Sequence, residues 1–255
     1  MRKFISNKYI QYLIGILIFI LLWWVISLCF DINKMVVPSP LDTTIRMFEL
    51  LRDPYTYKCL LFTLLKVLIG FSISFVVAFI LGVLAGNSKV LSGMLKPTMT
   101  VLKSIPTATV VFLFVIIVSA RYAPILVTML ISFPILFEAV TTGIANVDKD
   151  TIEASKVDGA DYVKRNIFIK IPLALPYIGV GLLASFSLSF KVEIMAEVIT
   201  GYSQNGLGSI IKATQNADPT DMVTIFGYSL IAIIVVLIIS ISADVIKDKI
   251  KKKVN

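Results

Sequence analysis

Three charged residues lie within an otherwise apolar run at 173–198 of this 255-residue sequence: Lys191, Glu193 and Glu197. On a helix, Glu193 and Glu197 share a face because they are four residues apart. Charged groups are costly in the hydrocarbon of a bilayer, so they usually face protein or water. Two carboxylates beside a lysine can form ion pairs or share a proton. We therefore expect these residues to face the interior of a helical bundle. The alternative is a helix that ends before Lys191 and leaves all three solvated.

The sequence offers few residues for metal binding, nucleophilic catalysis or nucleotide binding. The sequence has no histidine and only two cysteines, Cys29 and Cys59, so it lacks the residue combinations of the usual metal sites and nucleophilic triads. It also lacks a glycine-rich phosphate loop of the Walker type. We predict that the chain is not itself an enzyme, binds no metal and carries no cofactor of its own.

The elements that must position the charged residues are long apolar helices. The composition is 57% hydrophobic, and six apolar runs each exceed the roughly 20 residues that span a bilayer. They do not alternate in polarity as barrel strands do. The predicted fold is all-α and transmembrane, a single domain with spans at 9–30, 60–85, 98–120, 123–144, 173–198 and 222–243.

The basic residues predict the orientation of these spans. Most of the 24 lysines and arginines fall in the N-terminal segment, after the second run, in the stretch 146–170 and in the C-terminal tail. By the positive-inside rule these segments are cytoplasmic, which places both termini in the cytoplasm. The net charge of +8 follows from this topology, so we predict no nucleic-acid partner.

The long polar stretch at 146–170 has the pattern of two short helices. Asp150 can cap the first, with Glu153 in the capping-box position, and Gly159 supplies a break between them. The second carries Tyr162 on an apolar side and Lys164 on a basic one. Two short helices standing off the membrane form a knob that fits a groove in another protein.

This stretch resembles the EAA signature of binding-protein-dependent ABC importer permeases: Glu-Ala-Ala, three residues, Gly, nine residues, Ile, one residue, Leu-Pro. Ser155 replaces the second alanine and Ile171 replaces the leucine. In that family the loop is the coupling helix that docks on the ATP-hydrolysing subunit. The resemblance therefore implies an ATPase-coupling role for Glu153, Ala154, Ser155, Gly159, Ile169 and Pro172.

A weaker resemblance points to one branch of the family. Pro38-Ser39-Pro40 before an amphipathic segment at 41–51, and Ala196-Glu197 followed by Gly206-Leu207-Gly208, are similar to permeases of nitrate, sulfonate and taurine importers. The amphipathic segment is expected on the outer membrane surface or against the bundle. The resemblance implies a six-helix permease of the type I importer kind, with Lys191, Glu193 and Glu197 along the outer part of its translocation pathway.

The same resemblance implies the function and the partners. The chain is expected to be the permease subunit of an ATP-driven importer of a small solute, of the nitrate, sulfonate, taurine or bicarbonate class, in a prokaryotic cytoplasmic membrane. A vitamin precursor of the thiamine pyrimidine or riboflavin type is the alternative solute. A stand-alone channel or secondary transporter would leave the signature unexplained. The implied partners are two ATPase subunits carrying ATP and Mg²⁺, a second permease, which is either another copy of this chain or a similar chain, and an extracytoplasmic binding protein.

Overall fold

The computed structural model describes residues 8–29, 37–201 and 205–254, and every regular element within these ranges is helical. In chain order the elements are α1 (Lys8–Cys29), α2 (Pro40–Leu50), α3 (Pro54–Asn87), α4 (Lys89–Ser104), α5 (Thr107–Ile117), α6 (Ala123–Ala145), α7 (Lys149–Val157), α8 (Tyr162–Arg165), a π-helical turn (Asn166–Lys170), α9 (Ile171–Thr200), α10 (Leu207–Ala217) and α11 (Met222–Val254).

Four stretches of the described chain are long and apolar enough to cross a membrane: α3, α6, the continuous helix Tyr162–Thr200, and Met222–Ser242 of α11. They coincide with the runs predicted at 60–85, 123–144, 173–198 and 222–243. A shorter apolar stretch, Ile14–Cys29 of α1, lies within the run predicted at 9–30, whose last residue is outside the described ranges. The all-helical prediction is confirmed in this coarser form.

The span predicted at 98–120 is divided in the structure. It contains the end of α4 and all of α5, and these two helices are bent by 92° at the break between them. Pro106 lies in this break, where it cannot donate a backbone hydrogen bond, and Ile105 before it has extended dihedral angles. The bent pair is either one broken span or a re-entrant segment, and counting it as a span raises the total from four to five.

Helix α6 is the centre of the bundle and packs most extensively against α3 and α9. Small residues on α3 allow this approach. A Cβ built on Gly70 would lie 2.6 Å from the backbone oxygen of Ile125, and one on Gly82 would lie 2.7 Å from Cβ of Val140. Close packing of small residues is a main source of helix association in membranes, where lipid is as apolar as the side chains.

Two short amphipathic helices cover one end of the bundle. Ser39 caps α2 by accepting a hydrogen bond from the backbone N–H of Asp42, and Pro40 occupies the first turn. The apolar face of α2, with Met47 and Leu50, packs against Tyr228 of α11. The predicted amphipathic segment therefore lies against the bundle. Helix α10 contacts α9, α11 and α3.

Candidate functional site

Glu197 lies at the centre of a buried polar cluster that joins α9, α3 and α10. Its side chain is 0% exposed, and its Oε1 is 2.7 Å from Nζ of Lys66 on α3. Oε2 accepts hydrogen bonds from Oγ1 of Thr63 and from the backbone N–H of Gly208, each at 2.9 Å. Both carboxylate oxygens are thus paired, as a buried charge requires.

The cluster explains why the chain has glycine on both sides of Leu207. A Cβ on Gly206 would lie 2.4 Å from Oε1 of Glu197, and a Cβ on Gly208 would lie 2.3 Å from the backbone oxygen of Ile194. These positions let the first turn of α10 close over the carboxylate, where backbone N–H groups favour a negative charge. The backbone N–H of Leu207 donates to Oγ1 of Thr63 at 2.7 Å, so α10 is also hydrogen-bonded to α3.

Glu193 lies one turn earlier on α9 and faces α6. It is also 0% exposed, and its Oε2 accepts a 2.7 Å hydrogen bond from Oγ1 of Thr128. Within the described part of the chain, its Oε1 has no hydrogen-bond partner. Glu193 and Glu197 thus face different neighbours, although both point into the bundle.

These positions decide between the two interpretations of the charged residues. Helix α9 continues to Thr200 and both glutamates are buried, so the alternative that the helix ends before Lys191 is wrong. Lys191 itself has an exposed side chain in the single chain, so it does not face the interior of this bundle as expected. The cation that pairs with Glu197 is instead Lys66. A usable signal was present, since Thr63 and Lys66 are three residues apart and share a helix face.

The loop at 146–170 forms the two short helices that the sequence predicts. Helix α7 ends in a turn where Gly159 has φ +75°, and the backbone N–H of Ala160 donates to the oxygen of Ser155. Glycine adopts this left-handed conformation without strain. Asp161 then caps α8, whose first residue, Tyr162, donates its backbone N–H to the carboxylate.

Helix α7 is not capped by Asp150, the residue that the sequence predicted. Asp148 occupies the capping position instead, and its Oδ2 accepts hydrogen bonds from the backbone N–H and the hydroxyl of Thr151 at 3.0 and 2.9 Å. The backbone bond, followed by the hydroxyl bond, holds the pKa of Asp148 below its ordinary value. Asp150 lies in the first turn of α7, where its charge still favours the helix.

The signature residues of this loop have different environments. Glu153 and Ala154 are exposed, whereas Ser155 is buried and donates to the backbone oxygen of Ile152. Ile169 lies in the π-helical turn and is half-buried, and Pro172 is exposed in the first turn of α9. The turn was not predicted; the backbone N–H of Ile171 donates to the oxygen of Asn166, five residues earlier.

The loop is fixed to the bundle on one side and exposes apolar residues on the other. Nζ of Lys170 donates to Oδ1 of Asn87 at the end of α3, at 2.5 Å. Large apolar side chains in this loop remain at least half exposed: Val157, Tyr162, Val163, Ile167 and Phe168. Exposed apolar residues grouped in this way mark an interaction surface. Among the described residues, no group of three or more His, Cys, Asp or Glu could hold a metal ion.

The helices and the protruding loop define a multi-pass membrane protein with a surface for a second protein. The chain belongs to the family described as "Binding-protein-dependent transport system inner membrane component", whose match covers residues 58–255.

Curated relatives of the chain are permeases of ABC transport systems. The bicarbonate transport system permease protein CmpB of Synechocystis sp. is 31% identical over 78% of this chain and 79% of its own length. The nitrate import permease protein NrtB of Synechocystis sp. is 28% identical, with coverage of 77% and 74%. A putative aliphatic sulfonates transport permease, SsuC of Bacillus subtilis, is 24% identical, with coverage of 87% and 81%. The chain is therefore an ABC importer permease of the branch that the sequence indicated.

Solved structures show the same fold. An amino acid ABC transporter with histidines superposes with a TM-score of 0.65 at 18% identity, over 77% of this chain and 94% of the other. The MetNI methionine ABC transporter, in an inward facing conformation, superposes with a TM-score of 0.60 at 17% identity, over 80% and 97%. The type I importer fold predicted from the sequence is consistent with both.

Proposed function

We propose that this chain is the membrane-spanning subunit of an ATP-driven importer that receives its solute from an extracytoplasmic binding protein. The observation that carries the proposal is the loop at 146–170. It has the spacing of the coupling signature, folds into two short helices around Gly159, and exposes apolar side chains such as Phe168 outside the bundle. An apolar surface on a solvated loop is stabilised when it enters a groove of a partner protein.

The partner at this loop is an ATPase subunit, with ATP and Mg²⁺ bound there and not on this chain. Two copies of the chain, each holding one ATPase subunit, enclose a single pathway. Both termini and the loop lie in the cytoplasm of a prokaryotic cell, as the basic residues indicate. ATP hydrolysis moves the two loops, and the spanning helices convert this motion into alternating access.

The solute class follows from the relatives. Bicarbonate, nitrate and sulfonates, the solutes in their names, are small anions. We infer a small anion of this class for the present chain, with Lys191, Glu193 and Glu197 as the outer pathway residues. The alternative solute is a vitamin precursor of the thiamine pyrimidine or riboflavin type.

Copurification and uptake test this function. The chain is produced with the ATPase and the binding protein encoded beside it, and the complex is reconstituted in proteoliposomes. We expect one ATPase per permease and solute uptake that requires ATP and the binding protein. A thermal-shift screen of the binding protein identifies the solute. Uptake without ATPase or binding protein would instead indicate a channel or a secondary transporter.

The turn at Gly159 provides a specific test of the coupling loop. A Cβ at this position would meet nothing within 4 Å, so a substitution acts only through the backbone conformation at φ +75°. We expect Gly159→Val to reduce ATPase copurification and uptake at least fivefold, because β-branched residues resist this conformation. Gly159→Asn is the matched control, since asparagine tolerates it, and should retain most of both activities. If Gly159→Val performs like Gly159→Asn, the turn does not position the loop.

A further inference from the structure

One ion pair lies on the exposed surface of the single chain, outside the residues assigned to the coupling loop and to the outer pathway. Lys103, in the last turn of α4, pairs with the carboxylate of Glu138 on α6. Their side chains are 39% and 63% exposed, in contrast to the buried pair of Lys66 and Glu197. Both residues belong to apolar runs of the sequence, and Glu138 is the one charged residue of α6.

Glu138 lies inside the predicted span of α6 and not at its end. It precedes Ala145, the last residue of α6, by about two turns, or roughly 10 Å along the axis. A glutamate side chain is short, and unlike lysine it does not extend far toward the interface. Charged groups at such depth face protein or a water-filled cavity rather than lipid. The exposed side of this pair is therefore covered by something other than hydrocarbon.

The adjoining backbone gives an independent reason for the same conclusion. Helix α4 ends at Ser104, one residue after Lys103, and α5 begins at Thr107 at an angle of 92° to it; Ser104 and Pro106 are exposed. A helix end leaves backbone carbonyl groups without helical partners. Non-helical backbone at membrane depth is tolerated only where it is buried in protein or lines an aqueous cavity. The ion pair and the break are adjacent, so one cavity can serve both.

We propose that Lys103 and Glu138 line the aqueous translocation pathway on its cytoplasmic side, facing the second copy of the chain; this rests on the proposed function. Lys103 offers a cation to a passing anion, while Glu138 shares that cation and keeps the anion from being held too firmly. Conduction requires both properties, since a solute must enter a site readily and also leave it. The predicted outer residues and this pair then lie at different depths of one pathway.

Water access at Glu138 is the direct test. Glu138→Cys is introduced after replacement of Cys29 by serine and Cys59 by alanine, and the reconstituted complex is treated with a charged, membrane-impermeant methanethiosulfonate reagent. Ile80→Cys is the matched control, because Ile80 is 56% exposed and lies about two turns before Asn87, the corresponding end of α3. We expect Glu138→Cys to react at least tenfold faster than Ile80→Cys. Equal rates would overturn the proposal.

Uptake provides the second measurement. We expect Lys103→Met to lower uptake of the anion at least fivefold, with ATPase copurification unchanged, and Lys103→Arg to restore it. Uptake by Lys103→Met equal to that of the parent would contradict a role for this cation in the pathway. A cysteine-free parent that copurifies with no ATPase and takes up no solute refutes the proposed function instead. The reactivity comparison needs no transport and decides the water access in either case.

Discussion

Replacing Lys66 with methionine is expected to lower the free energy of unfolding by about 3–5 kcal/mol, the usual cost of leaving a buried charge without its partner. Glu197 is 0% exposed, and Nζ of Lys66 is the cation at its Oε1. Without that cation, the carboxylate retains only the hydrogen bonds from Thr63 and Gly208. The measurement is the thermal or denaturant unfolding of the purified complex.

Two further variants separate the ion pair from other effects of this substitution. Lys58→Met removes an exposed lysine from the same helix and should change the free energy of unfolding by less than about 0.5 kcal/mol. The double variant Lys66→Met/Glu197→Gln should regain most of the loss, because the neutral amide still accepts hydrogen bonds from Thr63 and Gly208. A loss in Lys66→Met no greater than in Lys58→Met would show that the ion pair does not stabilise the bundle.

Replacing Gly70 with alanine is expected to destabilise the bundle by about 1–3 kcal/mol through overpacking. The added Cβ would lie 2.6 Å from the backbone oxygen of Ile125, which no change of side-chain rotamer can relieve. It would also press on Thr128 at 3.3 Å, the residue that donates to Glu193. The substitution therefore disturbs both the contact between α3 and α6 and the hydrogen bond of a buried carboxylate.

The matched control is Gly93→Ala on α4, where an added Cβ meets nothing within 4 Å. Alanine exceeds glycine in helix propensity by about 1 kcal/mol, so this variant should be neutral or more stable. The same unfolding measurement applies to both. If Gly70→Ala is as stable as Gly93→Ala, the two helices are less closely packed at this point than the structure indicates.

Much of the architecture could be predicted from hydropathy because spanning helices are set by local composition. The runs at 123–144 and 173–198 correspond closely to α6 and α9. The size of the break in the run at 98–120 could not be predicted, since the average hydropathy of a run does not reveal a 92° bend within it. Pro106 lies at the break, but proline also occurs inside an uninterrupted helix: Pro134 lies within α6 and is buried there.

The two candidate sites differed in how well they could be predicted, because one is built from residues close together in sequence and the other from residues far apart. The two short helices around Gly159 depend on residues close together in sequence, and they were predicted correctly, apart from the cap at Asp148. The partner of Glu197 was not, because Lys66 is 131 residues away along the chain and the pair forms only when α3 meets α9. The resemblance included Gly206-Leu207-Gly208 but gave no reason for its two glycines. The structure supplies the reason, because a Cβ on either glycine would lie within 3 Å of Glu197.

The π-helical turn at Asn166–Lys170 determines which way the short helices α7 and α8 face relative to α9. Each residue turns an α-helix by about 100° and advances it by about 1.5 Å. Deleting one residue from this wide turn would return it to α geometry without disturbing α9. Helices α7 and α8 would then point about 100° away from their present direction, although their own side chains would be unchanged. The direction in which α7 and α8 face is therefore set by the number of residues in this segment, independently of the side chains on the two helices.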